Sequence, residues 1–442
     1  MGSQAYPLRQ SGIYRNLPTF DPSIKGLSAL VIGATGISGF NTMRSLLDSP
    51  GRWEVIYAAS RSPPSEAMLS LLSDEQQARV QHVPLDLTDS AEGIAAAFRH
   101  AHVKADYAFF YGYIHPKEIS AMDPAAADVL WEKNVPIFEN FLGALEIASI
   151  LPKRILLQTG GKNYGGHIGR SRLPYIESDP QPQHLMRNFY YGQESALFDF
   201  CQRHQGTHWN IIMPFGVIGT APTGGMNMMI PFGVLAAVQA QKGEALTFGG
   251  DFEAWQEENT CSSARLTGFL SEWAVLEDKC KDQRFNAVDG CGLSMDRFFT
   301  ELARWYDVKQ GVEGPATDES KYQTIELAGG KEAPLGYGPP SAMRMWSSMA
   351  EWSSDEANRR AWKTIMETSS GQVTIDAFNS GMDLAVSDFM KYRIGQASVA
   401  KLRRFGFNGF VDTLESTFET FQEMARLGVL PMPKVDAARP MI

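Results

Sequence analysis

The chain has 442 residues, enough for one large domain with insertions or for two domains. A hydrophobic share of 44% and an aromatic share of 11% belong to a packed globular protein and exclude a disordered one. A formal charge of -10 with no basic stripe excludes nucleic acid as the partner. The four cysteines show no C-x-x-C pair and no zinc spacing, so they read as reduced thiols of a cytoplasmic protein. The first residues lack the apolar core of a signal peptide, and Tyr6 stands where a myristoylation pattern wants Ser or Thr. No apolar run approaches the ~18 residues that cross a bilayer, so no membrane is expected.

Residues 1–25 read as a polar arm with prolines. An apolar run, Ser28 to Ile32, then meets a glycine turn and a helical pattern, Phe40 to Leu47. The turn Gly33-Ala34-Thr35-Gly36-Ile37-Ser38-Gly39 has the spacing of a dinucleotide-binding strand–turn–helix. Gly33 makes the turn, Gly36 admits a pyrophosphate close to the backbone, and Gly39 lets the helix pack on the strand. The helix start favours the phosphate charge, which places Gly33, Thr35, Gly36 and Ile37 at the cofactor. A glycine-containing turn that binds nothing is the plain alternative.

A second strand, Trp53 to Ser60, ends beside the expected adenosine ribose. Ser60 and Arg61 stand where NAD-specific sites carry an acid, and an Arg there can pair with a 2′-phosphate. The cofactor expected is therefore NADP(H). A third strand from Val80 runs into Asp86-Leu87, with Asp86 either at the adenine or capping the helix Ser90 to Phe98. A fourth strand, Ala105 to Tyr111, brings Tyr111 and Tyr113 toward the nicotinamide and the substrate. A long helix, Ala125 to Ser149, is expected to bend or turn at Pro136. A fifth strand, Arg154 to Thr159, ends in Gly160-Gly161-Lys162-Asn163-Tyr164, where open α/β sheets place ligands. Asn188-Phe189-Tyr190-Tyr191 opens a helix to about Cys201, but no lysine follows either tyrosine by four residues. Lys162 is then the well-placed donor. A sixth strand, Trp209 to Pro214, leads to a turn through Phe215 and Val217 and a soft loop containing Met226 and Met229.

Taken together, Gly33 to Gly39, Ser60-Arg61, Asp86-Leu87, Thr159 to Tyr164, Asn188 to Glu194 and Pro214 to Asn227 resemble the progesterone 5β-reductase and iridoid synthase-like family. Leu246 to Trp255, Phe285-Asn286-Ala287 and Phe405 to Phe410 extend the resemblance in the same order. This family comprises atypical short-chain dehydrogenase/reductases. It implies a Rossmann-type doubly wound parallel sheet at 26–220 and an interleaved, mostly helical substrate cap at 221–442. A strand near 284–288 is expected to return to the main sheet.

The resemblance implies an NADPH-dependent 1,4-reduction of an enone, with Lys162 and Tyr190 catalytic and Tyr191 as the second choice of register. Lys162, Tyr190, Tyr111, Pro214, Val217 and Met226 are then at the cofactor, and Tyr113, Tyr191, Phe215 and Met229 at the substrate. The partner is a small apolar oxygenated molecule, and the assembly a homodimer. Met213 stands where relatives commonly carry Arg, and residues 312–385 match poorly. The alternatives are a carbonyl reductase, a cofactor-assisted isomerase or cyclase, and a non-catalytic NADP-binding regulator. His204 and His208 flank a helix end and make no metal site; His115 and His167 read as loop histidines near the predicted site. Further helices are expected at Ile230 to Lys242, Ser263 to Leu276, Met295 to Tyr306, Met343 to Met366, Ser380 to Tyr392 and Leu414 to Gly428.

Overall fold

The structure, a computed structural model, describes residues 6–49, 51–115, 125–222, 226–393 and 395–440. Its centre is a seven-stranded sheet built from apolar segments bounded by glycine and polar turns. In chain order the strands and their helices are β1 (Leu27–Ile32), α1 (Ile37–Leu47), β2 (Trp53–Ser60), β3 (Val80–Pro84), α2 (Ala91–His100), β4 (Tyr107–Phe110) and α3 (Ala126–Ala148). They continue with β5 (Arg154–Gln158), α4 (Phe189–Arg203), β6 (His208–Pro214), α5 (Ile230–Lys242), α6 (Ala264–Leu276), β7 (Gln283–Ala287), α7 (Met295–Tyr306), α8 (Glu356–Thr368) and α9 (Thr413–Arg426).

The spatial order is β7-β6-β5-β4-β1-β2-β3, and every neighbour pair is parallel. Order reverses between β1 and β4, which opens the crevice at the strands' carboxyl ends where such sheets bind ligands. The strands read as nearly continuous apolar runs because both faces are covered. Val31, Phe109, Leu156 and Ile212 face α1 and α6, whereas Leu30, Ile32, Phe110 and Leu157 face α2, α3 and α4. The expected return of a strand near 284–288 is met by β7, which pairs in register with β6 from Gln283–Asn210 to Ala287–Pro214.

A second core lies in the cap, where Phe232, Phe298, Phe299, Trp305 and Phe421 pack edge to face and Phe418 tilts against Trp305, between α5, α7 and α9. A buried ion pair ties this layer to the sheet. Arg44 of α1 meets Glu423 of α9 through two hydrogen bonds of 2.8 and 2.5 Å, and Thr220 donates to the same carboxylate.

Several local expectations are corrected. The N-terminal arm is packed, not merely polar: Arg9–Ser11 and Tyr14–Leu17 form a hairpin, and Tyr14, Leu17 and Phe20 are buried. Helix α3 continues through Pro136 with no turn there, since burial of Val135, Ile137 and Phe138 outweighs one missing backbone bond. Residues 343–366 are not one helix. Ala342–Met345 is a strand paired antiparallel with Gln323–Glu326, and two helices follow, Met349–Ser354 and α8. The segment after Ser380 makes a 3₁₀ turn, Leu384–Lys391, rather than an α-helix. No helix among the described residues is long and apolar enough to cross a membrane. All four cysteines are free.

Candidate functional site

The turn after β1 shows why its glycines stand where they do. Gly33 has φ +78°, and a Cβ there would lie 3.0 Å from the Tyr111 carbonyl oxygen. A Cβ at Gly39 would strike the Gly33 carbonyl oxygen at 2.2 Å, so only glycine lets α1 pack this closely on its strand. Gly36 is the N-cap of α1 and offers no side chain to the helix. The first-turn N–H groups at Ile37 and Ser38 have no acceptor within a helix, and no acid neutralises that end. Such a cradle fits a dinucleotide's pyrophosphate. Thr35 lies within it. Ile37 packs beneath it with Val217, Ala221 and Ala264.

Ser60 and Arg61 follow at the end of β2. Ser60 is buried and donates to Ser62 O at 2.7 Å, while Arg61 is exposed. Asp86, nearby on the next strand end, accepts from the Thr88 N–H and hydroxyl. Those bonds, and then the Arg61 charge, hold its carboxyl below the usual range. The cap of α2 is Ser90, not Asp86. Leu87 packs into the sheet core and closes against Gly112, where a Cβ would meet it at 2.5 Å.

At the end of β5 a 3₁₀ turn, Gly161–Tyr164, carries Lys162. Burial pushes its ammonium pKa down to about 8. The Lys162 ammonium lies 5.7 Å from the centre of the Phe389 ring, which the cap's Leu384–Lys391 turn contributes. Asn188, the N-cap of α4, links this turn to the tyrosines. Its Oδ1 accepts from the Tyr190 N–H at 3.0 Å, and its Nδ2 donates to the Lys162 carbonyl at 3.0 Å. The Tyr190 hydroxyl lies 3.1 Å from where a Gly160 Cβ would be, with the Pro214 carbonyl 3.3 Å from the same point. Burial alone raises its phenol pKa, so the hydroxyl is a proton-bearing donor.

Tyr113 joins this corner. It stacks on Phe189 at 5.8 Å, and its hydroxyl and His115 Nδ1 are 3.2 Å apart. Burial raises the Tyr113 phenol, and Tyr190 adds to the rise. Burial also lowers the His115 pKa; Asp383 opposes that and Lys162 adds to it.

Other predicted residues point elsewhere. The Tyr111 side chain lies between α1 and α6, hydrogen-bonded to Thr42 at 2.9 Å and Ser271 at 3.3 Å, so only its backbone borders the crevice. Tyr191 donates to the Asn163 carbonyl at 3.0 Å and is buried. Phe215 stacks with Tyr164 and Tyr175. Met229 belongs to the cap core. Met226 is half-buried, and residues 223–225 of its loop lie outside the described residues.

Sequence reasoning missed Gln158, whose Nε2 donates to Ser38 Oγ at 2.8 Å across the crevice. It also missed the bridging role of Asn188, although Asn before a helix is a recognisable cap. His204 and His208 part company, toward Glu146 and Asp282. No metal-holding group of side chains occurs among the described residues.

Residues 29–328 match the PRISE-like Rossmann-fold domain family. The chain belongs to this family. As a PRISE-like protein it is similar to a short chain dehydrogenase of Penicillium aethiopicum, 25% identical over 91% of this chain and 99% of that one. It is also similar to a 3-oxo-Delta(4,5)-steroid 5-beta-reductase of Arabidopsis thaliana, 27% identical over 73% of this chain and 76% of the relative. Among solved structures, a UDP-glucose-4-epimerase of Stenotrophomonas maltophila with bound NAD superposes with a TM-score of 0.50. That match has 15% identity over 66% of this chain and 87% of the epimerase, which speaks for the PRISE-like chain's fold alone.

Proposed function

We propose that the protein is an NADPH-dependent reductase of activated C=C bonds, reducing an enone of an apolar, oxygenated small molecule. The observation that carries this reading is Asn188, one side chain that holds both the Lys162 turn and the start of the Tyr190 helix at the end of β5. A sheet end holding a desolvated ammonium and a protonated phenol suits a carbonyl oxygen that gains negative charge. The relative named as a steroid 5-beta-reductase supports the same chemistry.

When bound, the reduced nicotinamide supplies a hydride for the β-carbon. Tyr190 donates its hydroxyl proton in a hydrogen bond to the substrate oxygen. Lys162 places positive charge beside the same oxygen, in a site where burial strengthens every electrostatic contact. An arginine at position 61, just past the end of β2, is the group that would pair with a 2′-phosphate, which supports NADPH over NADH.

A panel of cyclic enones and linear enals, mixed with purified protein and NADPH, tests the reading through loss of reduced-nicotinamide absorbance. Turnover of at least one class, faster with NADPH than with NADH, is expected. Cofactor binding with no turnover across the panel would point instead to a regulator that binds NADP without chemistry.

A further inference from the structure

His167 is a polar side chain that neither the fold nor the proposed reaction uses. It follows Lys162 by five positions, on the loop that the cap covers from two sides. The Tyr392 hydroxyl donates to the Gly166 carbonyl, and the Ala328 N–H donates to the Ile168 carbonyl at 2.9 Å. The backbone on each side of His167 is thus fixed by a different cap segment. Its Nδ1 is buried with no hydrogen-bond partner among the described residues. Burial first, and the Lys162 charge second, push the ring's pKa down to about 3, so it is neutral at physiological pH. A neutral imidazole keeps one donor and one acceptor nitrogen, and a buried one without a partner is costly.

Two other titratable groups near Lys162 have partners. His115 faces the Tyr113 hydroxyl, and the Asp383 carboxylate accepts from the Ala385 N–H at 3.0 Å. We propose that His167 binds a second oxygen of the substrate, a hydroxyl or carbonyl remote from the oxygen held at Tyr190 and Lys162. The inference rests on the reading of this site as that of an enone reductase. It narrows the substrate from any apolar enone to one carrying two oxygen functions. A hydroxyl suits Nδ1 as acceptor, and a carbonyl suits it as donor.

Matched enones that differ only in a remote hydroxyl or ketone separate these cases. Wild-type protein should favour one oxygenated member over the bare enone by about tenfold to a hundredfold in kcat/KM, mainly through KM. His167→Phe should lose that preference while keeping NADPH affinity, and His167→Asn should restore part of it. A purely structural histidine would slow both members alike, so an unchanged preference in His167→Phe overturns the proposal. If His167→Phe does not fold, the same comparison is made with His167→Leu.

If no enone is reduced at all, the reductase reading fails, and binding then decides about His167 alone. Calorimetry on the NADP⁺ complex should still give tighter binding of the oxygenated member, by the same factor, in wild type only. Equal affinities for the pair would overturn the role of His167.

Discussion

Tyr190 and Tyr191 are adjacent in sequence and opposite in orientation. The Tyr190 hydroxyl lies over Gly160 at the sheet's ligand-binding end, while that of Tyr191 is spent on the Asn163 carbonyl. Tyr190→Phe should therefore lower kcat by about a hundredfold or more, the usual cost of one oxyanion donor, with little change in NADPH affinity. Tyr191→Phe should cost only about 1 kcal/mol of stability and leave turnover within a few-fold. Steady-state kinetics and urea unfolding distinguish the two; a dead Tyr191→Phe enzyme would reverse the assignment.

Lys162 adds a pH signature. Burial lowers its pKa to about 8, so it loses its charge as pH rises through that value. If the charge stabilises the enolate, kcat/KM should fall above about pH 8, and Lys162→Met should abolish that limb. Arg61→Ala should raise the KM for NADPH about tenfold to a hundredfold, as loss of a charge-assisted bond does, while sparing NADH. At this scale the glycines were legible in the sequence, because backbone approach admits nothing larger. The directions of Tyr111 and Met229 were not, because α6 and the cap core, distant in sequence, decide where those side chains pack.

Among the elements, α1 carries the cofactor turn at one end and a buried charge pair farther along. Arg44 and Glu423 are each almost fully buried. Burial would raise the Glu423 carboxyl, but the Arg44 charge and its hydrogen bonds, with Thr220, hold it below the ordinary value. Glu423→Ala leaves Arg44 buried and unpaired and should cost about 3–5 kcal/mol of stability. The sign with pH follows from the depressed carboxyl. The pair's contribution is complete above about pH 4.5, the unfolded value, and is lost as pH falls through the lower folded one.

Neither partner was legible as such, since no local pattern links positions so far apart. The 342–366 segment misled for a related reason. Met343, Trp346, Met349 and Trp352 recur at a helical spacing of three, yet Ala342–Met345 gains a strand partner in Gln323–Glu326, and tertiary pairing overrides the pattern. The same holds for Pro136, whose helix-breaking tendency yields to the packing of α3.

Across the whole molecule, sheet and cap meet at Asp289. It follows β7, accepts from the Ser263 N–H at the start of α6 at 2.6 Å, and accepts from the Thr413 hydroxyl at the start of α9 at 3.0 Å. Burial raises its pKa to about 7, against those opposing hydrogen bonds. The folded state then holds more protons than the unfolded one between about pH 4 and pH 7. Through this group, stability should fall as pH rises across that window. Thermal unfolding of wild type against Asp289→Asn checks it: the variant should show a flatter dependence of Tm on pH there.

The parallel sheet itself was readable because strands buried on both faces leave apolar runs between glycine and polar turns. Around residues 312–385 the cap mixes short strands and turns with α8, and the local period there did not tell strand from helix. The destination of the hydride decides which reaction the protein performs. The most direct measurement is incubation with a cyclic enone and NADPH deuterated at the transferred position, followed by NMR of the product. Deuterium on the β-carbon, with a Tyr190→Phe protein that binds NADPH but transfers almost none, is the predicted result. Deuterium on the carbonyl carbon, or a Tyr190→Phe enzyme as fast as wild type, would contradict it.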